Sequence, residues 1–220
     1  MKDLHMHTVY SDGKNTIEEM VKKAVTLSLQ TIAFTDHVWQ TSNWFEDYLR
    51  EISFFQHKYQ DQIVILPGFE AKAINTKGDI DANHFMINNS KIKIGAMHRI
   101  PFPEQDRIFY TREQIISHPQ QAYHSWLTTT LNLLKNPHVD ILAHPFMVPK
   151  KYNLDIPEKD LIVIFKYARQ FRKFLEISCR YPGSNTYMWQ ILKKYPGYLN
   201  HVILVSDSHS ITDLENCHKT

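Results

Sequence analysis

The chain opens MKDLHMHTVYSDG, with two histidines one residue apart followed shortly by an aspartate. Alternate residues of a strand project to one face, so His5 and His7 can offer both rings to a single ion. The same residue types return along the chain in short fragments. Asp36 and His37 stand in AFTDH, Glu70 in LPGFE, His98 in IGAMH, His144 in ILAHP, Glu176 in FLEIS, and Asp207 with His209 in VSDSH. Taken singly, each fragment has a plainer reading. Asp-His is a cap or a surface pair, a Glu after Pro-Gly is a solvated loop residue, and Ala-His-Pro is a turn. Their coincidence is what matters: every predicted strand contributes an acid or a histidine at or near its end. Imidazole nitrogen and carboxylate oxygen suit zinc, manganese or iron, and no cysteine thiolate joins the set. There are more candidate ligands than one ion needs, and a carboxylate such as Glu70 can bridge two ions. That favours a polynuclear centre and, with it, phosphoester hydrolysis.

The elements that must position these residues are β-rich runs alternating with amphipathic segments. Strands are predicted at Lys2–His7, Thr31–Asp36, Ile63–Pro67, Lys91–Met97, Val139–Ala143, Phe174–Ile177 and His201–Ser206. Several are continuous apolar runs (IVIL, VDILA, VILV), as in parallel strands buried on both faces. Between them, Thr16–Leu29 places Ile17, Met20, Val21, Ala24 and Val25 on one face, with Asn15 or Thr16 as its cap. Trp44–Tyr59, Tyr123–Leu134, Lys159–Arg172 and Asn185–Lys194 read as further helices. This is the rhythm of a βα repeat. It predicts an α/β barrel of parallel strands, one unit short of the (β/α)₈ type, with a doubly wound open sheet as the alternative. In a barrel all strand C-termini share one face, so residues scattered along the chain converge there. The longest interval between strands is Arg99–His138; it holds FPEQDRIFYTREQ, which reads as a long loop over one end of the barrel. A closing helix at Ile211–Asn216 is short, so either the chain as given is cut short or the final barrel wall is thin. No linker divides the chain, so residues 1–220 are read as a single domain.

Composition narrows the partners. The 220 residues carry 25 basic and 23 acidic side chains, a formal charge of +2, with no Lys/Arg block. Electrostatics therefore gives no support for nucleic acid. Cys179 and Cys217 lie far apart and form no spaced framework, which favours a reducing compartment. With neither an apolar leader nor a membrane-length apolar run, the reading is cytoplasmic.

Together, DLHMHTVYSDG, FTDH, GFE, the His98 strand end, LAHP, LEIS and VSDSH resemble the PHP (polymerase and histidinol phosphatase) superfamily, in family order and over nearly the whole chain. The resemblance implies a distorted (β/α)₇ TIM-like barrel with up to three divalent ions (Zn, Mn or Fe) at the strand C-termini. It implies that His5, His7, Glu70 and Asp207 hold one ion. Glu70 would bridge to a second, held by His98 and His144, and Asp12, His37 and His209 would hold a third. Glu70, His98 and Asp207 would then act catalytically, through metal-activated water attacking phosphorus. Asp12 stands where the family varies between His and Asp, and shifts the expected preference toward manganese or iron.

Other polar residues are placed more loosely. Asp36 is either an orienter of a ligand imidazole or a strand-end cap. His84, in IDANHF, is a candidate to touch ligand or metal. Arg99 and Arg180 are candidates to grip phosphate, with a surface salt bridge as the alternative. Asp79 and Asp81 shape a hairpin-like loop, and His57, His118, His124, His138, His201 and His218 are read as structural. The leading function is a stand-alone phosphatase acting on a small-molecule phosphomonoester. Histidinol phosphate, and so histidine biosynthesis, stands first among the candidates. The alternatives are a nuclease or nucleotide phosphoesterase, and a catalytically silent metal-stabilised interaction domain.

Overall fold

A computed structural model describes residues 1–219. Among them the strands are β1 Lys2–Met6, β2 Thr31–Phe34, β3 His37–Val38, β4 Val64–Lys72, β5 Ile92–Ala96, β6 Ile141–Leu142, β7 Phe174–Ser178 and β8 Val202–Val205. The ladder runs β1-β2-β4-β5-β6-β7-β8 with every pairing parallel, and β3 lies beside β4. At its far end β8 returns to β1: the Asp207 amide donates to the His5 carbonyl at 3.0 Å and the His7 amide to that of Ser208 at 2.9 Å. The sheet is thus nearly closed into the distorted TIM-like barrel expected, and β2 and β3 form one bent stave. A small interior cluster of Leu4, Ala33, Ile94, Ala96, Ile141, Ala143, Ile203 and Val205 fills it. The larger apolar cluster packs the outside of the strands against the helices.

The helices are α1 Ile17–Thr26, α2 Phe45–Lys58, α3 His84–Asn89, α4 Arg112–Ser117, α5 Pro119–Lys135, α6 Met147–Tyr152, α7 Glu158–Gln170, α8 Asn185–Lys194 and α9 Ile211–His218. Thr16 caps α1 in a capping box with Glu19, each side chain bonding the other's backbone amide. The loop expected at FPEQDRIFYTREQ ends in a short helix, because Thr111 and Gln114 form a second capping box at α4.

Two expectations need correction. Pro67–Gly68 does not end the third predicted strand; β4 runs on to Lys72, so Glu70 lies inside the strand and is 1% exposed. At Pro67 the strand leaves its register with β2, and from Gly68 it pairs with β5. A Cβ on Gly68 would lie 2.5 Å from the Ile92 carbonyl, so glycine permits that close approach. The distant cysteines are also not separate: Cys179 and Cys217 form a disulfide, tying the end of β7 to α9. Their sequence separation of 38 hid a pairing that only the fold creates. Outward-facing Leu204 of β8 is 51% exposed. No described helix is long and apolar enough to cross a membrane.

Candidate metal centre

Glu70 is the hub. Its Oε1 lies 3.2 Å from His144 Nε2 and 3.3 Å from His98 Nε2. Its Oε2 lies 2.8 Å from His37 Nδ1, 3.4 Å from His5 Nε2 and 3.5 Å from His7 Nε2. Asp207 Oδ1 stands 3.5 Å from His7 Nε2 and 3.8 Å from His5 Nε2. Towards solvent, Asp12 faces His209 Nε2 at 3.3 Å and His37 Nε2 at 3.7 Å. Three overlapping groups have ligand atoms all within 4.8 Å of one another: His7, Asp12, His37 and His209; His5, His7 and Glu70; His37, Glu70 and His98. The whole expected ligand set therefore lies in one cluster. His7 and His37 each belong to two of these groups.

Local structure explains the convergence. His5 lies on β1 and His7 directly follows its last residue. The loop after β1 folds back so that Gly13 N–H donates to the Thr8 carbonyl; a Cβ at Gly13 would fall 2.6 Å from the His7 backbone. That reversal carries Asp12 over the cluster. His144 (φ 28°) and Asp207 (φ 53°) sit in left-handed backbone, costly for non-glycine residues and characteristic of functional sites.

Asp36 does not orient an imidazole. It accepts from Thr8 N at 2.7 Å, Thr8 Oγ1 at 2.9 Å and Ser11 Oγ at 2.7 Å, clamping the loop that presents Asp12. The orienting role belongs to Glu176, quoted in FLEIS but not counted with the site. Fully buried, it accepts from His5 Nδ1 at 2.8 Å and from the His144 amide at 3.0 Å. The proton is thereby held on Nδ1, and His5 Nε2 faces the cluster. An acid in an apolar strand, FLEIS, was the available signal.

The electrostatics call for added positive charge. Burial disfavours ionised Glu70, yet His98, His37, His5 and His144 hold its carboxyl well below the usual range. Burial likewise opposes ionised Asp207, but His5 and His7 hold it low. Burial disfavours a charged His5, but Glu176, Asp207 and Glu70 raise it well above its ordinary value. Burial, with His5 and His37 alongside, pushes His7 down to about 3 despite Asp207. His209 keeps Asp12 below its ordinary value. His7 Nδ1 and His144 Nδ1 are buried without a hydrogen-bond partner. Buried carboxylates ringed by imidazoles, with orphaned ring nitrogens, fit divalent cations.

The remaining candidates are peripheral. His84 is exposed at the start of α3 and outside the metal-compatible groups. Arg99 is exposed and stacks over Phe109. Arg180 lines a cavity with Asp207, Asp213 and the disulfide. His218 is structural, bonding Asp3 at 2.7 Å and anchoring the end of α9.

The chain and its fold have known counterparts. Residues 3–180 match the PHP domain, and the chain belongs to that family. It is 28% identical to a probable phosphatase of Thermoanaerobacter sp., over 96% of this chain and 80% of that protein. It is 25% identical to one of Caldicellulosiruptor saccharolyticus, over 99% and 84%. The fold is similar to that of a histidinol phosphate phosphatase of Lactococcus lactis solved with zinc, L-histidinol and phosphate. That likeness has a TM-score of 0.66 at 19% identity, over 99% of this chain and 92% of that one.

Proposed function

We propose that this PHP-family phosphoesterase hydrolyses a phosphomonoester of a small metabolite at a centre of up to three divalent ions, with residues 1–220 acting as one domain. The observation that carries the reading is Glu70: one buried carboxylate with imidazoles on both oxygens. His5, His7, Glu70 and Asp207 would hold one ion, Glu70, His98 and His144 a second, and Asp12, His37 and His209 a third. Bound divalent ions supply acidity to water and positive charge to phosphoryl oxygens. The chain's own part is to fix the geometry. Glu176 sets the tautomer of His5, Asp36 holds the Asp12 loop, and the left-handed turns at His144 and Asp207 point those side chains into the cluster. Arg180, beside Asp207, is the better placed of the two arginines to meet a phosphate oxygen. Histidinol phosphate is the first substrate to try, since the Lactococcus protein with this fold is solved with L-histidinol and phosphate.

The test is to load the protein with Zn²⁺, Mn²⁺ or Fe²⁺ and assay phosphomonoesters, nucleotides and short single strands. Turnover of phosphomonoesters, abolished together with metal binding in His7→Ala and Asp207→Ala, is the expected result. Metal retention without turnover of any substrate would sink the reading.

A further inference from the structure

Beside the cluster lies a cavity of about 170 Å³, lined by His37, Val38, Trp39, Glu70, Lys72 and His98. It shares His37, Glu70 and His98 with the centre, so it starts where a phosphoryl group would sit and leads outward. Its far walls have no part in holding ions. β3 and β4 pair with His37 opposite Glu70 and Val38 opposite Ala71, which sets Trp39 and Lys72 one step beyond the centre, at the same level. Trp39 is 45% exposed, and Lys72 Nζ stands 5.9 Å from its ring centroid.

Asp81 organises these walls. Fully buried, it accepts from the Gln40 amide at 3.2 Å, pairs with Lys72 at 3.4 Å and takes a two-pronged contact from Arg107 at 3.0 Å on each oxygen. One carboxylate therefore joins the Trp39 turn, the end of β4 and the loop after β5. The Trp39 amide is also fixed, donating to Ser42 Oγ at 3.0 Å. Arg107 is flanked by Asp81 and by Asp106, which is itself held by Asn75. Lys72 is the cation that lines the cavity.

Resting on the reading above, the geometry points to this cavity as the leaving-group pocket: Trp39 receives a planar ring, and Lys72 selects a neutral or anionic substituent over an ammonium. A cavity of about 150 Å³ suffices for one benzene ring, so one ring fits here. An indole face with an adjacent cation accepts aromatic groups by stacking, and the fixed cation repels a like charge. A ring-bearing amino alcohol phosphate such as histidinol phosphate would bind with its ammonium turned away from Lys72.

The test uses metal-loaded protein and four substrates: glycerol phosphate, benzyl phosphate, 4-carboxybenzyl phosphate and 4-(aminomethyl)benzyl phosphate. KM should rise from the carboxy to the neutral to the aminomethyl compound, by about tenfold in all at low salt, and less at high salt. Lys72→Met should compress that spread and improve KM for the aminomethyl compound. Trp39→Leu should raise the ratio of the benzyl to the glycerol phosphate KM by about tenfold. An unaltered spread in Lys72→Met, or an unaltered ratio in Trp39→Leu, would overturn the pocket while leaving phosphatase activity standing. If no phosphate turns over, the hydrolase reading fails. The pocket is then judged by 4-carboxybenzyl alcohol: fluorescence quenching that disappears in Trp39→Leu supports it, and no difference between the two proteins refutes it.

Discussion

Glu70 and Asp81 are both buried carboxylates serving the same end of the barrel, yet they gather opposite company. Around Glu70 stand histidines, whose imidazoles gain and lose a proton and take up a metal ion in the neutral form. Around Asp81 stand Lys72, Arg107 and a backbone amide. The second set balances its carboxylate with permanent charge and needs no ion. The first does not, and a divalent cation completes it. Burial of an acid thus does not by itself mark a metal site; the charge of its partners decides.

The largest effect should come from breaking the first hub. Glu70→Gln removes the charge and one bridging oxygen, and should abolish tight binding at two of the three proposed positions, read by metal content after dialysis. Retention of the full metal complement would break the contrast with Asp81. Next, Glu176→Ala frees the His5 ring to choose its tautomer, and metal affinity should fall about 10- to 100-fold by calorimetry with the fold kept. A smaller, selective loss is expected from Asp12→Ala: the metal stoichiometry should drop by the ion nearest solvent, since Asp12 is 55% exposed and meets only the outer group.

Asp81→Asn should act on stability and leave metal content intact. The expected cost is about 1–2 kcal/mol, discounted because Arg107 and Lys72 both reach solvent. Burial opposes the charge on Asp81, but Arg107, the Gln40 amide and Lys72 hold its carboxyl below the usual value. The unfolded chain therefore binds this proton more readily than the folded one. The stabilisation is present above about pH 4 and is lost as pH falls through the folded-state value. Acid unfolding of the metal-free protein should show this limb, and Asp81→Asn should flatten it. An equally steep limb in the variant would remove Asp81 from the account.

Much of the centre was legible because strand ends are legible. Apolar runs such as VDILA and VILV mark parallel strands, and a parallel barrel puts every C-terminus on one face, so His144 and Asp207 could be brought together without coordinates. Glu70 was harder. Pro67–Gly68 carries a local turn signal, and the opposing fact, that Gly68 is needed for close approach to Ile92, belongs to a neighbouring strand. The clamp that Asp36 makes is not local, because Thr8 and Ser11 reach it only once the loop folds back.

By itself the sequence determined the types of candidate ligand, their order and the barrel that collects them, since periodicity and strand-end position are local properties of the chain. Only the tertiary structure decided which carboxylate orients which imidazole, that Asp81 ties Trp39, Lys72 and Arg107 into one wall, and that Cys179 meets Cys217. Each of these depends on distances between segments far apart in the chain, and those distances exist only after the strands have chosen their neighbours.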